Sequence, residues 1–238
     1  MKTADTADIL PTPIKFTVTE IAVDCVVFGY VKGHLKVLLV KNEKKGLCRW
    51  GIPSGFIKQH ESADCTAERL LYECHITQNI FLRQLRAYCN SKRSPINRFI
   101  TIAYYALINM DNYRINHEKM DCNVVQWMKI KDVPELIHDH NAIVDHSLMQ
   151  LKTLAQQSPI ALNLLPEKFT ILELINLYQD ILGIEAAKSN FRKKILNIKL
   201  LVPLNEETYD LSHRPARLYK FDSTVIESIN LNEFSFDL

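Results

Sequence analysis

The residues with the most chemical potential lie between Gly55 and Thr77, in the segment GFIKQHESADCTAERLLYECHIT. Glu61, Asp64 and Glu68 stand at i, i+3 and i+7, so a helix brings them to one face, where three carboxylates can hold a hard divalent cation through oxygen. The same spacing more commonly marks a solvated acidic face. Arg69 and Glu73, at i and i+4, can pair across one helical turn. A second concentration of charge is basic. Lys188, Arg192, Lys193, Lys194, Lys199, Arg214, Arg217 and Lys220 stand against only Glu206, Glu207 and Asp210. That local excess is the footprint expected for contact with nucleic-acid phosphates, whereas the net charge of +2 for the whole chain carries no such message.

The elements that must position these groups follow from periodicity. Residues 14–30 (IKFTVTEIAVDCVVFGY) are β-branched and aromatic and read as strand, and a Lys32-Gly33 turn leads into the apolar run Leu35 to Val40. Lys41 to Cys48 reads as a charged loop, and Trp50 to Ile57 resumes an extended pattern. From Glu61 the period becomes helical, with Ala63, Ala67, Leu70, Leu71 and Cys74 forming one stripe. Strands return at Phe81 to Tyr88, Arg98 to Ile108 and Val124 to Ile130, and helix-like stretches follow at Val133 to Ile137 and Ala142 to Gln157. Ser158-Pro159 marks a hinge between a first domain, 14–157, and a second, 158–238.

Beyond that break Thr170 and Glu173 make a capping box for a helix that ends at Gly183. A second helix is expected from about Ala186 to Asn197, then a hairpin of Leu200 to Leu204 with Arg217 to Phe221. Helix, glycine turn, helix and two-stranded flap is the layout of a winged helix-turn-helix. On its second helix Phe191, Ile195 and Ile198 can face the core, which leaves Ser189, Asn190, Arg192 and Lys193 toward a groove. Asn can read adenine and Arg guanine there, while Lys188 and Lys194 suit phosphates and Arg214 and Arg217 sit in the wing.

Cys25, Cys48, Cys65, Cys74, Cys89 and Cys122 include no CxxC pair, so neither a zinc site nor a redox dithiol is suggested. No signal-like apolar core opens the chain, and no apolar run approaches the roughly 20 residues of a membrane span. The expectation is a cytoplasmic protein without membrane contact.

Residues 55–77 resemble the Nudix box: Gly55, Glu61, Arg69, Leu71 and Glu73 fall in register with it. Leu70 and Cys74 stand where that box has glutamates, Ile76 where it has glycine, and Thr77 where it has an apolar residue. Nudix hydrolysis uses magnesium on those helix carboxylates to activate water against a diphosphate, and Leu70 offers no ligand while Cys74 offers only a soft thiol. The flanks extend the resemblance. They include Val23 to Phe28, Ile102 to Leu107, Asp139-His140, Asn163 to Pro166, Ser189 to Lys194 and Arg214 to Phe221. Together they resemble the Nudix-related transcriptional regulators of the NrtR type, with their arabinose-regulator-like relatives, from about residue 16 to 222.

The resemblance implies an α+β chain: a Nudix fold, with its mixed β-sheet sandwiched between helices, followed by a C-terminal winged helix-turn-helix. It also implies a homodimer on double-stranded operator DNA, controlled by an ADP-ribose-like or pentose effector, with no cofactor and no metal. His138, His140 and His146 then take structural or ligand-adjacent roles. Trp50, Phe56, Arg69, Glu73, Arg98 and Tyr104 are the candidates to line the effector cleft. Trp50 or Phe56 would stack on a base or sugar, and an Arg would fork onto a phosphate. Against these roles stand core positions for Trp50 and Tyr104 and a simple Arg69–Glu73 pair. The rival to the regulator is a divergent Nudix hydrolase of nucleoside diphosphate derivatives with an accessory C-terminal domain.

Overall fold

The computed structural model describes residues 20–44, 47–77, 80–93, 99–110, 113, 125–183, 201–208 and 215–222. The apolar start of the chain becomes β1 (Ile21–Val31), which turns through Lys32 and Gly33 into β2 (His34–Lys44). Both turn residues have positive φ, 49° and 74°, the pattern of a type I′ turn, and this matches the right-handed twist of the two strands. β2 runs on through the segment expected as a loop and pairs with β3 (Leu47–Gly51), in register from Val40↔Gly51 to Lys44↔Leu47. The charged residues at the end of β2 are held in strand by their pairing with β3, which forms the edge of the sheet.

Short β4 (Ser54–Phe56), β5 (Ile80–Tyr88), β6 (Ile100–Ile108) and β7 (Val125–Lys129) complete a seven-stranded sheet. Its main path runs β3-β2-β1-β6-β5, and β1 and β6 are parallel, so the sheet is mixed. Alternate residues of β1 face opposite layers. Val23, Cys25 and Val27 pack toward α1 (Ala63–Glu73), whereas Val26 and Phe28 join the core beneath α2 (His140–Gln157). A sheet between helices is the arrangement that the box resemblance implies.

The helix-like pattern at Val133 to Ile137 does not form a helix. Pro134 lies within it, Leu136 bridges to Trp50 in parallel, and the Ile137 N–H donates to the Trp50 carbonyl at 2.9 Å. After α2 a run of 3₁₀ turns, Pro159–Leu164, leads to β8 (Phe169–Thr170) and α3 (Ile171–Leu182). The capping box is present on both sides, with the Glu173 N–H donating to Thr170 Oγ1 and the Thr170 N–H to Glu173 Oε2. Gly183 ends the helix at φ 69°, a conformation natural only to glycine. β9 (Leu201–Glu207) and β10 (Arg217–Phe221) form the expected hairpin, and β8 adds a third strand beside β10. The expected second helix, 186–197, lies outside the described residues.

Packing is continuous across Ser158-Pro159. Leu164, Leu174, Ile175, Leu177 and Ile181 belong to the same buried cluster as Phe28, Leu35, Val37 and Ile143. Tyr219 and Phe221 of the hairpin lie against that cluster too.

Candidate functional site

α1 begins at Ser62, whose hydroxyl accepts from the Cys65 N–H, and its apolar stripe turns inward. Leu70 and Cys74 are both buried in this layer, with Val23, Cys25, Ala67 and Tyr104 as neighbours. A Cβ on Gly55 would meet Leu70 Cδ2 at 3.0 Å, so the loop before the helix lies directly on Leu70. Burial, assisted by Glu73, pushes the Cys74 thiol up to about 12, which keeps it protonated and a poor metal ligand. The two positions where the box would carry glutamates are therefore core positions.

The remaining box residues pair with one another. Arg69 donates from Nε to Glu61 Oε1 (2.8 Å), from Nη2 to Glu61 Oε2 (2.9 Å) and the Phe56 carbonyl (3.1 Å), and from Nη1 to Glu73 Oε1 (3.0 Å). The bond from Arg69, helped by the Lys58 N–H and the Thr66 hydroxyl, holds the Glu61 carboxyl at about 2. Asp64 instead accepts from the Tyr104 hydroxyl at 2.6 Å. Glu61 and Asp64 thus serve separate partners, and among the described residues no group of His, Cys, Asp and Glu is arranged to hold a metal.

The structure sorts five of the six candidate effector residues onto different sides of the sheet. Arg69, Glu73 and Tyr104 stand on the α1 side. Trp50 packs on the α2-side core, and Phe56, opposite Ala22 on β1, shares that side. Arg98 lies outside the described residues. Tyr104 is 2% exposed, whereas Phe56 is 50% exposed and available to a ligand. The ring of Phe56 meets Phe99 edge-on at 5.8 Å, and Phe99 meets His138 in the same way at 5.8 Å.

Behind this aromatic row lies a buried polar cluster in which sequence reasoning gave Asp24 and Arg93 no role. Arg93 Nη2 donates to Asp24 Oδ2 (3.0 Å) and Asp139 Oδ1 (2.8 Å), and its guanidinium covers the Phe99 ring at 4.6 Å. Ser54 Oγ donates to Asp24 Oδ1. His140 accepts the Ile52 N–H on Nδ1 at 3.2 Å, which assigns its proton to Nε2, 3.7 Å from Asp24 Oδ2. Burial pushes the His140 pKa down, against the pull of Asp24. The cluster joins β1, β4, the loop after β5 and the start of α2. Asp24 could have been flagged as a lone acid in an apolar strand; nothing in the sequence around Arg93 singles it out. Asp139 occupies the N-cap position without capping through its side chain, and Asn141 bonds back to Pro134 and Leu136.

In the second region, Arg217 starts β10 and donates from Nε to the Leu204 carbonyl at 3.1 Å, which ties it to the opposing strand. Lys188, Ser189, Asn190, Arg192, Lys193, Lys194 and Arg214 lie outside the described residues.

Comparison with known proteins completes the picture. Residues 161–221 match the family model of the NrtR DNA-binding winged helix domain. Over 206 residues the chain is 28% identical to the ADPR responsive transcriptional repressor NtrR of Acinetobacter baylyi, covering 84% of this chain and 80% of that protein. The crystal structure of Shewanella oneidensis NrtR complexed with a 27mer DNA superimposes with a TM-score of 0.74 at 27% identity, over 87% of this chain and 95% of that one. Shewanella oneidensis NrtR without DNA gives 0.72 at 29% identity, over 85% and 94% of the two chains. A MutT/nudix family protein from Enterococcus faecalis, 23% identical over 86% and 88%, shares the fold with a TM-score of 0.66.

Proposed function

We infer that this chain, a homologue of NrtR with a Nudix-fold sheet and an NrtR winged helix, is a transcription regulator that releases or retains operator DNA in response to an effector. The observation that carries this reading is the winged-helix match at 161–221 behind a box helix whose ligand positions, Leu70 and Cys74, are buried. The first domain, 14–157, senses the effector without hydrolysing it. The second, 158–238, binds the operator. Two copies of the chain read two half-sites.

On the DNA side, Lys188, Ser189, Asn190, Arg192, Lys193 and Lys194 supply the recognition helix, and Arg214 and Arg217 the wing. ADP-ribose is favoured over a pentose because the Acinetobacter relative is ADPR responsive. Phe56 offers its half-exposed ring to a base or sugar, and the Arg69–Glu73 pair, on the other side of the sheet, reaches the Phe56 carbonyl; Trp50 and Tyr104 face opposite layers, so only one of them can join Phe56. Four of the five Arg69 N–H groups already serve Glu61, Glu73 and Phe56, so a two-pronged grip on a phosphate requires Arg69 to exchange a partner.

The test is calorimetric titration with ADP-ribose in the presence of magnesium, followed by chromatography of the ligand. Saturable binding with recovery of intact ADP-ribose supports a sensor. Magnesium-dependent turnover that disappears in Glu73→Gln would establish the hydrolase instead.

A further inference from the structure

α3 belongs to the winged helix by family match, yet its buried face belongs to the core of the sheet. It meets the β1–β2 hairpin through Asp180, whose Oδ2 lies 4.0 Å from His34 Nδ1. β7 pairs with β2 only as far as Lys36↔Lys129, so the outward N–H of Leu35 lies past the end of β7. Asp180 of α3 takes that N–H on Oδ2 at 2.6 Å. Directly across the ladder from Leu35 stands Tyr30 of β1, whose hydroxyl is buried and has no hydrogen-bond partner among the described residues. Burial raises the Tyr30 pKa, and the carboxylates of Asp180 and Glu173 add to the effect, which places both acids of α3 in its field. A carboxylate thus engages one donor, while a second donor, buried on the residue across the ladder and within the field of that carboxylate, goes without a partner among the described residues.

A buried hydroxyl left unpaired costs free energy and calls for an explanation. We propose that Tyr30, Leu35 and Asp180 form a two-position joint through which the sensor domain sets the position of the winged helix. In the position seen here Asp180 holds the Leu35 N–H. In the other, a shift of α3 along the hairpin gives the Tyr30 hydroxyl a carboxylate acceptor and releases the Leu35 N–H to water. Leu35 has that outlet, since the Asp180 side chain is 37% exposed. β1 is suited to carry the signal: Asp24, in the cluster behind Phe56, and Tyr30 lie on the same strand, roughly 20 Å apart. The inference rests on the reading of ligand-controlled DNA binding. It requires DNA and effector to prefer different positions of the joint.

The full-length protein tests it with Tyr30→Phe, which removes the unpaired hydroxyl and favours the position seen here, and Asp180→Ala, which removes its acceptor. Affinity for an operator duplex is measured by fluorescence anisotropy with and without ADP-ribose, beside thermal melts. Tyr30→Phe should shift DNA affinity by at least about threefold, and both variants should shrink the ADP-ribose response, Asp180→Ala because it removes the acceptor of both positions. Tyr30→Phe should melt higher than wild type and Asp180→Ala lower. A merely structural contact would leave the ADP-ribose response at its wild-type size in both variants while DNA affinity follows stability, and that pattern overturns the joint. Variants that bind and respond as wild type overturn it as well. Wild-type protein that binds DNA but ignores ADP-ribose, or binds neither, removes the functional reading itself, and the joint falls with it.

Discussion

Replacing Arg93 by Gln should be among the most damaging single changes in the sheet domain. The side chains of Arg93 and Asp24 are each 1% exposed, and Asp24 has Ser54 as its other close donor. Without the guanidinium, a carboxylate stays buried with its charge uncompensated. Breaking a pair of this kind from one side costs about 3–5 kcal/mol. Asp139 adds little, because at 24% exposure it can be rehydrated. For a chain of this size such a loss lowers the melting midpoint by roughly 6–20 °C. The double variant Asp24→Asn/Arg93→Gln removes both charges and should recover about 1–3 kcal/mol relative to the sum of the single losses. Urea unfolding of the wild type, both singles and the double, followed by circular dichroism at pH 7.5, reads these differences. A loss below about 1 kcal/mol for Arg93→Gln, or strictly additive singles, would refute the idea that this buried pair organises the start of α2.

Other outcomes follow from the same geometry. Burial depresses the His140 pKa, so the unfolded chain takes up the proton first: its contribution to stability is complete above the unfolded value of about 6.5 and falls as pH drops through it. Melting midpoints should therefore decline from pH 7.5 to 5.5, and less steeply in His140→Gln; equal slopes would contradict a buried neutral imidazole. Leu70→Glu and Cys74→Glu, which restore box glutamates, should each lose at least about 2 kcal/mol in urea unfolding, because both positions lie in the core. Wild-type stability in either would mean that this face of α1 opens to water. Thr170→Ala should cost about 1 kcal/mol, through loss of the cap at the start of α3, and a change of a few tenths would show that packing alone holds that end.

Local chemistry made much of the fold legible. Lys32-Gly33 marked the hairpin, Thr170 with Glu173 and Gly183 bounded α3, and the run ITIAYYALI marked β6. Features decided by distant partners were hidden. The charged residues after Val40 became strand because β3 pairs with them, and Phe169 became a strand residue because Tyr219 lies across from it. The buried face of the box helix was legible from its apolar stripe, in which Leu70 and Cys74 take their places. The layers that the candidate effector residues face were not: strand register alone determines that Trp50 and Tyr104 face opposite layers, and register is a property of pairing. Arg93 escaped notice for the same reason, its partners lying 69 and 46 residues away along the chain.

Ligand-controlled binding to DNA is the central claim, and a titration of the DNA upstream of the protein's own gene tests it most directly. It should be run at low and physiological salt, with and without ADP-ribose, on wild type and Arg192→Ala. Saturable binding to one site is expected, weakened by Arg192→Ala and shifted by ADP-ribose by about fivefold or more. Weak binding without a preferred site, erased at physiological salt and indifferent to ADP-ribose, would contradict it.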